Sequence, residues 1–212
     1  MMTNLRYVVV EGPIGAGKSE LARRLADYWD VKLVPEEPEA NPFLSRFYRN
    51  AAQHGLATQL SFLQQRSEKA RAMLDGDLLA SPIVSDFLFE KDAVFARTVL
   101  KEDELALYRY IAARLMPEHP VPDLVIYLQA SPDVVQKRVA AKGSDYEKSF
   151  PEGFLDEVHA AYSEFFHQYE NAPLLIVNTD HLNFVDGGED FELLLRCITE
   201  MRGQRSYFNK SV

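Results

Sequence analysis

Apolar residues run along this chain in two rhythms. Short continuous runs read as strands buried on both faces: Tyr7-Val8-Val9-Val10, Val31 to Val34, Pro82-Ile83-Val84-Ser85, Asp123 to Leu128 and Leu174-Leu175-Ile176-Val177. Between them, apolar residues recur every three or four positions. That spacing predicts helices over Lys18 to Trp29, Leu56 to Leu74, Asp103 to Leu115, Glu152 to Glu170 and Glu189 to Met201. Ser131-Pro132-Asp133 opens another, running to about Ala141, with a capping oxygen and then proline in the first turn. Asn41-Pro42 starts a further helix carrying Phe43, Leu44, Phe47 and Tyr48, and Asp86 to Leu100 reads as helical at least in part. Apolar strands alternating with helices predict an α/β fold: a five-stranded parallel sheet flanked by helices on both faces. No internal repeat and no Gly-, Ser- or Pro-rich linker interrupts the pattern, so residues 1–212 are read as one domain.

Composition narrows the function classes. Hydrophobic residues at 47% and charged residues at 26% are an ordinary globular balance, which excludes a disordered or collagen-like chain. The net charge of −9 repels polyphosphate backbones, so no nucleic-acid partner is expected; a small anion held by a few local cations remains possible. The single cysteine, Cys197, allows neither an intrachain disulfide nor a cysteine metal cluster, and a reducing cytosol fits. The polar start of the chain lacks a signal-peptide pattern, and the apolar runs fall far short of the roughly 20 residues that span a bilayer. A cytoplasmic protein without a membrane partner is expected.

The strongest chemical signal is Gly12-Pro13-Ile14-Gly15-Ala16-Gly17-Lys18-Ser19, which fits G-x-x-x-x-G-K-[ST]. It lies after a strand and before a helix, where a phosphate-binding loop of the P-loop (Walker A) type must lie. Gly12, Gly15, Ala16 and Gly17 let backbone N–H groups turn toward phosphates, and the helix N-terminus adds partial positive charge. Lys18 reaches the β- and γ-phosphates of ATP, and the Ser19 hydroxyl suits Mg²⁺. A dinucleotide site is excluded, because Glu20 stands where G-x-G-x-x-G needs its third glycine. A GTPase is excluded too, since no D-x-x-G element exists and Asn209-Lys210 runs into Ser211-Val212.

A small kinase remains, and it needs a base, cations over the transferring phosphoryl group and a lid. Glu36 and Glu37 follow the second strand at the carboxyl edge, where open α/β sheets bind ligands, and either carboxylate can accept a hydroxyl proton. Ser85-Asp86 ends the third strand on the same edge, so Asp86 can hold Mg²⁺ or orient the acceptor. Arg138, Lys142 and Lys148 surround the Gly143-Ser144-Asp145 break, so residues 138–152 read as a basic lid.

With these residues in place, the chain resembles the deoxynucleoside kinase family, in its bacterial purine-preferring branch, over roughly Arg6 to Glu200. The resemblance rests on Glu11 to Ser19, on Glu36 to Leu44, on the helix segment Thr58 to Arg66 and on Ser85 to Ala96. It implies that a glutamate after the second strand is the base; the spacing to Asn41-Pro42 favours Glu36, whereas a Glu-Pro pair would favour Glu37. It implies that Gln59 pairs with the base edge, that Arg66 is a second base-site residue, and that Tyr48 and Glu147 hold the sugar 3′-hydroxyl. Phe62 and Phe87 are placed to stack on the base or to pack in the core. The chain departs from the family where an acidic residue followed by arginine is frequent; here Ser85-Asp86 stands. The lid, often Arg-Gly-Arg, reads Lys142-Gly143-Ser144. Lys18, Arg138 and Lys142 are left to meet the charge of the transferring group.

The expectation is a Mg²⁺-dependent kinase that phosphorylates a deoxynucleoside, of purine type, at its 5′-hydroxyl with ATP. The resemblance also implies a homodimer. Two alternatives stay open: a nucleoside monophosphate kinase of the thymidylate-kinase type, for which Arg46, Arg49 and Arg66 are candidate acceptor-phosphate ligands, and a nucleotide-binding module weakened in catalysis.

Overall fold

The computed structural model describes residues 5–75, 81–142, 150–151, 153–184 and 188–210. The sheet is parallel throughout, in the order β2-β3-β1-β4-β5-β6. Its strands are β1 (Tyr7–Glu11), β2 (Lys32–Val34), β3 (Ile83–Ser85), β4 (Leu124–Gln129), β5 (Leu174–Asn178) and β6 (Arg205–Phe208). Five match the apolar runs. The sixth, at the edge beside β5, corrects the expectation of five strands: Arg205-Ser206-Tyr207-Phe208 buries only Phe208 and so carries no apolar run.

The helices are α1 (Lys18–Trp29), α2 (Leu44–Arg49), α3 (Ala51–Leu74), α4 (Lys91–Val99), α5 (Glu102–Leu115), α6 (Pro132–Lys142), α7 (Phe154–His167) and α8 (Gly188–Glu200). Two apolar layers sandwich the sheet. On one face Val8, Val10, Ile126 and Val177 pack with Leu21 and Leu25 of α1 and Leu194 and Ile198 of α8. On the other face Val9, Val125 and Tyr127 pack with Phe87, Leu88 and the aromatic side of α7, Tyr162 and Phe166. Alternate residues of β1 and β4 thus serve opposite layers, as a strand buried on both faces requires.

Local chemistry shifts several boundaries. α3 begins at Ala51 rather than near Leu56, because the Asn50 side chain accepts from the Gln53 N–H and caps it. Asn41 does not start a helix. Its side chain accepts from the Phe43 N–H and donates to the Thr58 carbonyl, pinning the 3₁₀ turn Pro38–Ala40 to α3. The segment after β3 is a tight turn through Glu90 before α4 starts at Lys91.

These connections set the functional edge. β1 is central, with β3 on one side and β4 on the other. Chain direction therefore parts at β1, and the loops after β1, β2 and β3 gather at one carboxyl edge, the usual ligand crevice of such sheets.

Candidate active site

The loop after β1 has the backbone of a phosphate cradle. Gly12 has no room for a side chain: a Cβ there would lie 2.5 Å from the Leu128 carbonyl oxygen. Gly17, immediately before α1, has φ +98°, which a side chain would strain. Between them the Ala16 N–H donates to the Pro13 carbonyl at 3.1 Å, closing the loop, and Ala16 itself is buried. Lys18 Nζ donates to the same carbonyl at 3.1 Å. Burial lowers the Lys18 pKa, against the pull of Glu11.

Glu36 and Glu37 are driven apart by the backbone. Glu37 takes a left-handed conformation, φ +62°, which a non-glycine residue adopts only when neighbours impose it. Lys69 of α3 is that neighbour: its ammonium donates to the Pro35 carbonyl, to the Glu36 carbonyl at 3.0 Å and to the Glu37 carboxylate at 2.8 Å. Glu37 consequently faces solvent, whereas the Glu36 side chain turns into the cavity. Asp86 fastens the same turn, accepting from the Glu36 N–H at 2.7 Å. Of the two glutamates, only Glu36 lines the cavity.

The cavity has a volume of about 270 Å³, at the low end for small-ligand sites. Gly15, Gly17, Lys18 and Ser19 of the phosphate loop and α1, Glu36 and Asp86 from the loops after β2 and β3, and Tyr48, Gln59, Phe62 and Arg66 of α2 and α3 all line it. The face of α3 turned inward explains this: Thr58, Gln59, Leu63, Arg66, Ala70 and Met73 recur at helical spacing, and the polar members face the cavity while the apolar ones pack. Gln59 is buried, and its Oε1 has no hydrogen-bond partner. A buried acceptor aimed into a cavity is costly unless a ligand donor meets it.

A chain of alternating charges runs beneath the cavity. Arg66 donates to Glu36 at 2.6 Å and also to Asp92, which in turn accepts from the Tyr108 hydroxyl. Lys91 donates to the other Glu36 oxygen at 2.6 Å and lies 3.6 Å from Glu11. Glu11 accepts from the Gly12 N–H, the Leu88 N–H and the Tyr162 hydroxyl. Burial alone would raise the Glu36 pKa, but Lys91 and Arg66 outweigh it and bring it down to about 2. Glu36 is therefore ionised at any physiological pH. Burial raises the Asp92 pKa despite the opposing pull of Arg66.

Several sequence expectations need correction. Phe87 does not reach the cavity; it is fully buried, edge-on to Phe89 and under the Lys69 ammonium, so it is core. Glu37 is outside the cavity for the reason given. Arg138 lies behind the phosphate loop: it donates to the Thr179 carbonyl at 2.6 Å, to the Thr179 hydroxyl and, at 3.4 Å, to the Ala16 carbonyl. Gly12 and Ala16 shape the loop without lining the cavity. Lys142 ends α6, while Glu147, Lys148 and most of the 138–152 lid lie outside the described residues. Lys91, Glu11, Asp92 and Tyr162 were not singled out by the sequence reading. For Lys91 and Asp92 the signal was a charged pair enclosed by apolar residues, between Phe87-Leu88-Phe89 and Val94-Phe95.

The deoxynucleoside kinase family model matches residues 8–201. The chain is 28% identical to the deoxyguanosine kinase of Bacillus subtilis over 205 residues, covering 94% of this chain and 99% of that one. It is 27% identical to the deoxyadenosine kinase of Lactobacillus acidophilus, covering 92% and 96% of the two chains. Its fold matches a deoxyadenosine kinase from M. mycoides solved with dATP bound, with a TM-score of 0.79 at 20% identity, over 92% of this chain and all of the other. With a phosphate loop, an ionised glutamate and an unpaired carboxamide around one cavity, and a family match spanning nearly the whole sheet, the chain belongs to the deoxynucleoside kinase family.

Proposed function

We propose that this kinase transfers the γ-phosphoryl group of Mg²⁺-ATP to the 5′-hydroxyl of a purine deoxynucleoside. The observation that carries the reading is the placement of Lys18, the Glu36 carboxylate and the unpaired Gln59 Oε1 around one cavity. The phosphate loop is the donor end. Its backbone N–H groups from Gly15 to Ser19 and the Lys18 ammonium suit a triphosphate. Ser19 and Asp86 both line the cavity and offer a hydroxyl and a carboxylate, the hard oxygen donors Mg²⁺ requires. Among the described residues no group of three His, Cys, Asp or Glu side chains forms a metal cage. Mg²⁺ would be held by the Ser19 hydroxyl and the Asp86 carboxylate, and would supply charge neutralisation to the transferred phosphates.

At the acceptor end Glu36 orients the 5′-hydroxyl and receives its proton. The 5′-oxygen bonds to the γ-phosphorus, the bond to the bridging oxygen breaks, and that electron pair leaves on ADP. Tyr48 stands at the sugar, braced edge-on by Phe47 and Phe150. Gln59 takes the base edge, with one donor and one acceptor in plane. Phe62, under the Arg66 guanidinium at 5.1 Å, closes the base end. Purine preference is supported by the relatives named deoxyguanosine and deoxyadenosine kinases.

The monophosphate-kinase alternative is less well supported by its candidate phosphate ligands among the described residues. Arg46 and Arg49 are exposed on α2 outside the cavity, and Arg66 is held by Glu36 and Asp92. A homodimer is part of the proposal; Leu107 and Tyr110 on α5 are exposed apolar surface for it, and light scattering tests it. An ATP donor goes with a cytoplasmic setting. The direct test incubates the protein with Mg²⁺-ATP and each of the four deoxynucleosides or their monophosphates, with mass detection of products. A monophosphate from deoxyguanosine or deoxyadenosine is expected. Diphosphates formed only from monophosphates would overturn the reading.

A further inference from the structure

The two cations on Glu36 are not equivalent. Arg66 bridges Glu36 and Asp92, and Asp92 is itself held by the Tyr108 hydroxyl, so Arg66 is tied on both sides. Lys91 has one close partner, Glu36 Oε2 at 2.6 Å. Its second carboxylate, Glu11, is 3.6 Å away and already accepts from two backbone N–H groups and the Tyr162 hydroxyl. Lys91 lines the same cavity as Lys18 and Ser19, and its side chain is only 3% exposed. Its ammonium is therefore buried at the cavity, with a longer ion pair to Glu11 and a close, exchangeable one to Glu36.

That pair is weakened by the reaction itself. When Glu36 receives the 5′-hydroxyl proton it becomes neutral, and the charge of Lys91 loses its nearest counter-charge. The nearest developing negative charge is then on the equatorial oxygens of the transferring phosphoryl group. A cation already in place in a water-poor site needs no reorganisation to meet it. Arg138, the arginine that the sequence suggested for this work, faces Thr179 instead.

We propose that Lys91 is a catalytic residue of this enzyme: it exchanges its ion pair with Glu36 for the transferring phosphoryl group, in step with proton transfer to Glu36. Lys91 keeps its own protons; the proton that moves goes from the 5′-oxygen to Glu36, and the electron pair of the broken P–O bond leaves on ADP. The inference rests on the phosphoryl-transfer reading above. It supplies a transition-state cation from the first residue of α4, where Ser85-Asp86 has none to offer.

The test compares wild type with Lys91→Met and Lys91→Arg in steady-state kinetics with Mg²⁺-ATP and deoxyguanosine. Calorimetry measures binding of deoxyguanosine alone, and of ADP with aluminium fluoride in its presence. For Lys91→Met, kcat should fall about 10³-fold, while the Kd of deoxyguanosine stays within about threefold. Affinity for the aluminium fluoride complex should fall with kcat, and Lys91→Arg should recover at least about a tenth of wild-type kcat. Where Lys91→Met does not fold, Lys91→Gln keeps a donor to Glu36 without the charge and carries the same comparison. A kcat within about threefold of wild type in the charge-less variant overturns the inference, as does a loss of deoxyguanosine binding as large as the loss of kcat. A wild type that phosphorylates no deoxynucleoside overturns the functional reading beneath it, and the inference falls with it.

Discussion

The donor end and the acceptor end of this cavity are built in opposite ways. The donor end is one contiguous loop, Gly12 to Ser19, and its chemistry lies in backbone N–H groups set by glycine conformations. The acceptor end is assembled from dispersed side chains: Glu11 of β1, Glu36 after β2, Arg66 of α3, Lys91 and Asp92 of α4, and Tyr162 of α7. In the loop, backbone dipoles wait for a ligand's charge. At the acceptor end the charges already neutralise one another beneath the substrate, so each member holds the others. Loss of a donor-end side chain should therefore cost rate, whereas loss of an acceptor-end side chain should cost fold stability too.

The sharpest break between the two ends is Lys18→Met. Turnover should fall by about 10³ or more, as for removal of a phosphoryl-stabilising cation, with the melting temperature near that of wild type. Steady-state kinetics paired with a thermal melt checks it. Arg66→Leu attacks the other end and should show the converse emphasis. It leaves Asp92 buried and Glu36 half-paired, so urea unfolding should reveal a loss of about 3–5 kcal/mol.

Acid should expose the same network. The Glu36 pKa in the folded protein, about 2, lies below its ordinary 4.5, so between those values the unfolded chain binds the extra proton. The contribution of Glu36 is complete above pH 4.5 and is lost as pH falls toward 2. Relative to Glu36→Gln, wild type should lose about 3 kcal/mol across that window, at roughly 1.4 kcal/mol per pH unit. Chemical denaturation at several pH values measures the difference. The smallest effect belongs to Gln59→Ala, which removes the base-edge carboxamide without breaking the charge chain. Deoxynucleoside affinity should drop by about 1–3 kcal/mol with kcat nearly unchanged, as read by calorimetry and initial rates.

The same contrast explains what was legible in the sequence. β1, the phosphate loop and α1 are local and contiguous, so an apolar run, a glycine pattern and a helical stripe identify them in order. Gln59 and Arg66 were named through the family resemblance, and both line the cavity from one face of α3. Glu36 and Glu37 could not be separated by composition; the separation comes from Lys69, far along the chain, which holds Glu37 at positive φ. Lys91 was hidden because its partners, Glu11 at the end of β1 and Glu36 in the loop after β2, lie far from it along the chain, and only the assembled fold brings the three together. Phe87 stayed open between base and core for the matching reason: an aromatic beside a ligand edge has the same sequence signature whether it faces the cavity or the core. β6 escaped because an edge strand needs to bury little, and it buries little.

The central claim is that Glu36, held ionised by Lys91 and Arg66, is the group on which the acceptor hydroxyl depends. Its most direct test is the rate of deoxynucleoside monophosphate formation from Mg²⁺-ATP, measured by mass detection for wild type, Glu36→Gln and Glu37→Gln. Wild type and Glu37→Gln should form product at similar rates, and Glu36→Gln should be slower by about 10²–10⁴. Equal rates for wild type and Glu36→Gln, or a comparable loss in Glu37→Gln alone, would contradict it.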